Sequence, residues 1–411
     1  MSFYLRIGLG LLTIILLEFY FSRKISRALK IYFPASERYI KWGKNFFLIA
    51  LNIFPFYVLI MWIISRISET RLSLPENFFF DYFIMYPFWV CAMIILQITL
   101  FFLVLDILKI PLLLFSKNVR DKVKKFEAKI IIAITILFFI YVPARIIYDY
   151  NFVSIRITEH KIENLHPDLN NLRIAFISDT QADRYTDEKR LMNFIDKVNS
   201  TNPDLVLIAG DVITSTPDYI GTAAEYLGKL KSKYGVYTCV GDHDNWAYRE
   251  DNPRSIREIT EELQKYNVKM FNNERLTLNI NNSKVNITFI TNTYVERIAP
   301  SLLDSLSNHS SDYDLKIFLT HQPREYLIQA AQRHSYDLFL AGHTHGGQVT
   351  LLFPFINLTP TLIETNFVKG DRKLGKMLAI VTRGLGMSLA PIRYNSTPEV
   401  TLISISSDNN K

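Results

Sequence analysis

Long unbroken apolar runs fill the first 150 residues, whereas from about residue 153 short apolar runs alternate with amphipathic ones. Four of the long runs have spanning length, roughly 20 residues each. They cover approximately Phe3–Ser22, Phe46–Ile64, Phe83–Leu105 and Ile130–Ile147. The second and third are nearly free of charge. The first carries Arg6 and Glu18 near its ends, where side chains can reach the interface. No small-residue cleavage site follows it, so the pattern predicts an anchor and not a removed leader.

Beyond residue 153 the pattern predicts a layered α/β domain over residues 151–406, ending in a polar tail at 407–411. Strands are expected at Leu172–Ser178, Leu205–Ala209, Gly235–Val240, Leu315–Leu319, Leu338–Leu340, Met377–Val381 and Val400–Ile405. Helices are expected at Glu188–Val198, Ala223–Lys231, Ile256–Lys265 and Arg324–Gln332. Leu276–Ile280 and Val285–Thr291 flank Asn281-Asn282-Ser283 and read as a hairpin.

Charge divides the chain in the same place. Residues 1–150 hold 18 Lys/Arg against 9 Asp/Glu, and residues 151–411 hold 28 against 30. The basic balance therefore belongs to the apolar segment and gives no sign of nucleic-acid binding by the second domain. Lysines and arginines concentrate at Arg23–Lys44 and Lys109–Lys129, while Arg66 and Arg71 between spans two and three sit beside Glu69, Glu76 and Asp81. The positive-inside rule puts the two basic stretches in the cytoplasm. Four spans then place the large domain outside it, whereas a re-entrant or interfacial fourth stretch, flanked by Lys129 and Arg145, would place it in the cytoplasm. The two cysteines, Cys91 and Cys239, lie in apolar runs and offer no disulfide framework.

The chemistry gathers at predicted strand ends, where α/β folds place their sites. Successive strands end in Ser178-Asp179-Thr180-Gln181, Gly210-Asp211, Gly241-Asp242-His243-Asp244-Asn245, Thr320-His321-Gln322-Pro323 and Gly342-His343-Thr344-His345-Gly346-Gly347-Gln348. An isolated Asp there could cap a helix. Five such ends together point to convergence on metal, because imidazole and carboxylate are the side chains that ligate first-row and hard cations.

This order of motifs resembles the calcineurin-like metallophosphoesterase superfamily over about residues 170–405. The Gly-His-Thr-His-Gly-Gly-Gln form, with Arg383-Gly384-Leu385-Gly386 and Pro398-Glu399, resembles its membrane-associated YkuE-like branch. The resemblance implies a β-sandwich flanked by helices, two divalent metals and hydrolysis of phosphate esters. It places Asp179 and His345 on the first metal, Asp211 between the two, and Asp242, His321 and His343 on the second. It makes His243 the group that protonates the leaving oxygen or stabilises the transition state, with Asp244 orienting its ring. Two positions depart from the family pattern. Gln181 stands where a second His is usual, and Asp242 where Asn is usual. Both shift the site toward oxygen donors, which favours manganese over zinc or iron and predicts weaker binding of the first metal.

His160, His166, His309 and His334 lie away from these strand ends and are expected to be surface or loop residues. Asn245, Gln348 and Arg383 adjoin the cluster as phosphate contacts or as structural turns. The Asn286-Ile287-Thr288 sequon carries no weight in so Asn-rich a chain. The apolar run Val349–Ile356 directly follows the histidine motif and reads as a core strand or as a lipid-facing lip.

The expectation is a membrane-anchored dimetal phosphohydrolase of phosphomonoesters or phosphodiesters, with a phospholipid or lipid-linked ester the preferred class. A lipid nucleotide-sugar pyrophosphatase is the nearer alternative, although its substrate lies on the cytoplasmic side. A metal-binding membrane scaffold without turnover is the other, favoured by Gln181 and Asp242. Retention of His243 and Asp244 favours the enzyme.

Overall fold

The computed structural model describes residues 3–68, 74–111, 116–308, 313–353 and 356–408, with only the backbone described for residues 3–11. The chain divides into two compact units. One comprises Met1–Ile147 together with Leu351–Leu358, and the other comprises Tyr148–Thr350 and Thr359–Lys411.

The first unit is helical: α1 (Phe3–Tyr32), α2 (Glu37–Ser68), α3 (Tyr86–Leu108) and α4 (Lys117–Asn151, whose last turn belongs to the second unit). Three helical stretches among the described residues, Pro34–Ser68, Phe78–Leu108 and Lys117–Asn151, are long and apolar enough to cross a membrane. The basic stretches expected as loops are mostly helix ends instead. Arg23–Lys30 continue α1, Arg38–Lys44 open α2 and Lys117–Lys129 open α4, so little more than Phe33–Ser36 joins the first two helices. Glu69 and Arg71 lie outside the described residues. Glu18 does not reach for an interface. It is buried, and its Oε2 accepts a 2.6 Å hydrogen bond from Asn52 of α2 while Oε1 has no partner, so only half of a carboxylate that hydrocarbon would penalise is satisfied.

The segment after the histidine motif forms a two-stranded hairpin whose strands, Leu351–Phe353 and Ile356–Leu358, group with the helices. Gln97 of α3, fully buried, exchanges two hydrogen bonds with the main chain of Leu352, at 2.7 and 2.8 Å. Pro354 and Phe355 lie outside the described residues.

The second unit is built on two six-stranded sheets. In chain order the first sheet holds β1 (Ser154–Ile162), β2 (Arg173–Ile177), β3 (Leu205–Ile208), β4 (Val236–Cys239) and β5 (Val268–Phe271). The second holds β6 (Glu274–Ile280), β7 (Ser283–Ile290), β8 (Leu315–Thr320) and β9 (Leu338–Ala341). With the hairpin as β10 and β11, the later strands are β12 (Gly370–Leu374), β13 (Met377–Val381) and β14 (Glu399–Ser407). The spatial orders are β1-β14-β2-β3-β4-β5 and β12-β13-β9-β8-β7-β6, with parallel and antiparallel neighbours in each.

The inner faces of the two sheets share one core, in which Phe176, Leu207 and Cys239 of the first meet Ile287, Leu319 and Leu340 of the second. Helices Glu188–Asn199, Ile220–Leu227 and Asn252–Lys265 cover the other face of the first sheet. Helices Pro300–Ser307 and Glu325–Arg333 cover that of the second. The predicted strands and helices all form, with ends shifted by up to four residues. The helix Pro300–Ser307 and the strands β1, β5, β11 and β12 were not expected from the pattern. β12 alternates poorly, and β5 is only four residues long. Ser407 belongs to β14 and not to a tail, and residues 409–411 lie outside the described residues.

Candidate metal centre

The strand-end loops bend back through left-handed backbone at Asp179, Gln181, Asp211, His343 and His345, with φ from 45° to 69°. That conformation costs a non-glycine residue energy, and it persists only where the surroundings enforce it. Neighbouring glycines provide the room. A Cβ on Gly241 would stand 2.2 Å from the backbone nitrogen of Asp211. Gly384, at φ +63°, passes so close that a Cβ would meet Asp179 Oδ2 at 2.8 Å. The Arg383–Gly386 turn thereby braces Asp179, and Gly386 N–H donates to its carbonyl at 2.6 Å.

The turns bring the predicted residues together. Asp179, Asp211 and His321 form one group whose ligand atoms lie within 4.8 Å of one another, and Asp242, His321 and His343 form another. His321 is central. Its Nδ1–H donates to the carbonyl of Ala209 at 2.6 Å, because a carbonyl can only accept. Nε2 stands 3.3 Å from Asp211 Oδ2 and 3.2 Å from Asp242 Oδ2; burial favours the neutral ring, but these two carboxylates prevail and raise it well above its ordinary value. His343 presents Nδ1 to Asp242 Oδ2 at 2.8 Å and Nε2 to Glu364 at 3.0 Å. His345 Nε2 stands 3.5 Å from Asp179 Oδ1. Gln181 places its amide nitrogen 3.1 Å from Asp211 Oδ2 and 3.3 Å from His345 Nε2.

Electrostatics follow from burial and neighbours. Burial opposes ionisation of Asp211, yet His321 and His243 outweigh it and hold the carboxyl down at about 2. Burial, reinforced by Asp211, pushes Asp244 up to about 6. For His343 burial favours the neutral ring, but the hydrogen bonds to Asp242 and Glu364 prevail and raise it to about 9.

The donor set fits divalent cations. Asp179 Oδ1, Gln181 Oε1 and His321 Nε2 are buried without a hydrogen-bond partner, a costly state for polar atoms unless another group satisfies them. Carboxylate oxygen and neutral imidazole nitrogen are the ligands such ions take.

His243 and Asp244 are arranged differently from expectation. The carboxylate of Asp244 accepts the backbone N–H groups of Asp211, Val212 and Gly241, at 3.0, 2.8 and 2.8 Å. It ties two ligand loops together and does not orient His243. That ring is held by the Thr214 carbonyl at 2.5 Å on Nδ1, while Nε2 lies 3.0 Å from Ser388 Oγ. Gln348 holds the Ser388 loop by donating to the carbonyls of Ser388, Ala390 and Ile392. Asn245 donates to the Gly241 carbonyl, and Arg383 pairs with Glu399 at 3.3 Å. All three residues have structural partners.

Residues the sequence did not flag complete the surroundings. Gln322 donates to both oxygens of Asp242 at 2.8 Å. Arg393 is fully buried, with Nη2 at 3.2 Å from His345 Nδ1 and further bonds to four carbonyls. Tyr294 and Arg324 converge on Glu364. Gln322 could have been suspected from its place beside His321, whereas Glu364 and Arg393 sit in stretches without a motif. A cavity of about 340 Å³ opens beside Asp211, Asp242, His243, His343 and His345. His166 and His334 lie elsewhere in the fold, His160 is buried within β1 and is neither a surface nor a loop residue, and His309 is outside the described residues.

Residues 172–347 match the calcineurin-like phosphoesterase family. They form a calcineurin-like phosphoesterase domain. The chain is 28% identical over 321 residues to the metallophosphoesterase Cj0846 of Campylobacter jejuni, covering 74% of this chain and 78% of that one. It is 28% identical over 260 residues to the metallophosphoesterase YkuE of Bacillus subtilis, covering 62% and 87%. To the zebrafish (Danio rerio) transmembrane protein with metallophosphoesterase domain it is 28% identical over 257 residues, covering 60% of this chain and 55% of that protein. The phosphoesterase domain, with its Asp/His groups able to hold divalent metal, is that of a metal-dependent phosphoesterase, and the apolar helices make the protein membrane-associated.

Proposed function

We propose that the protein is a membrane-anchored dimetal phosphohydrolase that cleaves phosphate esters of amphiphilic molecules on the outer side of the cytoplasmic boundary. The observation that carries this reading is the convergence of Asp179, Asp211, Asp242, His321 and His343, with buried donor atoms left unpartnered. Asp179, Gln181 and His345 would hold one cation, Asp242, His321 and His343 the other, and Asp211 both. When bound, the cations supply the positive charge that draws the phosphoryl oxygens and a water into line. Manganese suits this oxygen-rich set better than zinc or iron.

The chain's own groups do the rest. His243, its Nδ1–H held by the Thr214 carbonyl, delivers a proton from Nε2 to the leaving oxygen as the imidazolium and is left as the neutral ring. Asp244 fixes the main chain under Asp211. Glu364 holds His343 through Nε2, so that Nδ1 faces the second centre.

The substrate class rests on the rim. Leu389 lines the cavity yet is 98% exposed, in left-handed backbone at φ +62°. Ile363, between the lining residues Thr361 and Glu364, is 91% exposed. Bare aliphatic side chains beside a polar centre suit a substrate with an apolar tail. The outside location rests on the basic helix ends at Arg23–Lys44. From a cytoplasmic start there, the three span-length helices that follow end outside, whether or not α1 is a fourth span.

The test compares wild type with Leu389→Ser/Ile363→Ser on a short-chain lipid phosphate and on a soluble aryl phosphate. The double variant is expected to lose roughly tenfold on the lipid substrate alone, about the value of burying two aliphatic side chains in part. Equal loss on both substrates removes the amphiphile from the reading.

A further inference from the structure

The helical unit contains a second polar centre that catalysis does not use. Among α1, α3 and α4 lies a cavity of about 520 Å³. At its base Tyr20 O–H donates to Asp106 at 2.5 Å, and Lys24 donates to Asp106 and to Glu127, each at 2.6 Å. Lys109 also pairs with Asp106, and with Glu127 at 3.0 Å. The two carboxylates are thus already occupied by two ammonium groups.

The wall carries further positive charge. Arg23, Arg27 and Lys124 line the same cavity, so five cations face two anions. Lys124 pairs with Asp121 at 3.2 Å. Arg23 and Arg27, one turn apart on α1 and both exposed, have no acidic partner among the described residues. Two guanidiniums above a neutralised base leave the cavity with excess positive charge, in a form that matches phosphate oxygens in bidentate fashion. Phe19, Ala28, Ile31, Ala128 and Ile131 supply apolar walls beside them.

We infer that this cavity binds a phosphate group, and that its source is the headgroup of an anionic phospholipid. Basic pockets between helices at the leaflet interface take such headgroups, and the apolar wall can lie along an acyl chain. A soluble phosphate would meet the same guanidiniums without using that wall. The site is independent of the metal centre and of the function proposed for it.

The full-length protein in nanodiscs of phosphatidylcholine, or of phosphatidylcholine with phosphatidylglycerol, tests the inference through retained lipid and thermal stability. Inorganic phosphate is added in a separate arm. Wild type is expected to retain phosphatidylglycerol roughly tenfold over phosphatidylcholine, and Arg23→Gln/Arg27→Gln is expected to lose that preference. Arg27→Gln alone, a milder change, should lose part of it. Arg38→Gln/Lys41→Gln, which removes basic charge outside the cavity, should retain it. A response to inorganic phosphate that matches phosphatidylglycerol and vanishes in Arg23→Gln/Arg27→Gln assigns the site to a soluble anion and overturns the lipid source. Equal retention of the two lipids by wild type, or equal losses in the two double variants, overturns the site itself.

Discussion

The carboxylate of Asp244 accepts the backbone N–H of Asp211 at 3.0 Å, so one acidic residue of the motif fixes the main chain beneath another. The same group also takes the N–H of Val212 and of Gly241. A buried carboxyl with three backbone donors acts as a clamp between the loops after β3 and β4.

Asp244→Asn turns an NH₂ group toward at least one of those N–H donors. The variant should lose about 1–3 kcal/mol for each donor left opposed, visible as a lower midpoint of thermal unfolding. Residual hydrolysis should keep the pH midpoints of wild type, because Thr214 and not Asp244 aims His243. A shifted pH profile with unchanged stability would return Asp244 to the role of orienting that ring.

Gln181 donates its amide to Asp211, a contact in which an N–H occupies an oxygen that a cation would use. Gln181→His replaces that donor with a ring nitrogen able to ligate. Affinity at the first centre should rise roughly tenfold, equivalent to about 1.4 kcal/mol, and preference should move toward zinc. Calorimetric titration with manganese and zinc checks both. Unaltered affinity for each metal would mean that residue 181 does not contribute to the centre.

His160, in β1, is buried with Nε2 unpartnered, and burial holds its ring down to about 4. Its ordinary value is near 6.5, so between the two the unfolded chain binds more protons than the folded one. Stability is therefore full above pH 6.5 and falls as the pH drops toward 4. Thermal unfolding of the full-length protein across this window should fall more steeply for wild type than for His160→Gln. Parallel curves would show that His160 titrates alike in both states.

What the sequence made legible was the chemistry with its local turn. Asp179, Asp211, Asp242, His321, His343 and His345 all stand at strand ends beside residues that permit the bend, and spacing alone marks them. The fold's central strands, such as β3 with four fully buried aliphatics, announce themselves by composition. β12, with Asp371, Arg372 and Lys373 in succession, does not, because an edge strand has little apolar face to reveal. Partners brought in by tertiary contact were invisible for the same reason. Glu364 reaches His343 across 21 residues and Arg393 reaches His345 across 48, with no local pattern to mark either. Part of the run after the histidine motif forms a strand, as its composition suggests, but the sequence did not show its partners. Its apolar residues pair as a hairpin that groups with the helices, bonded to Gln97, 255 residues away from Leu352.

The central claim is that Asp211 unites two cations to hydrolyse a phosphate ester. Its most direct test is hydrolysis of an aryl phosphodiester and a set of phosphomonoesters by full-length wild type and Asp211→Asn, before and after chelation and with manganese restored. The account predicts activity in wild type that chelation removes and manganese returns, and a loss of at least about 100-fold in Asp211→Asn. Activity indifferent to chelation, or equal in the two proteins, would contradict it.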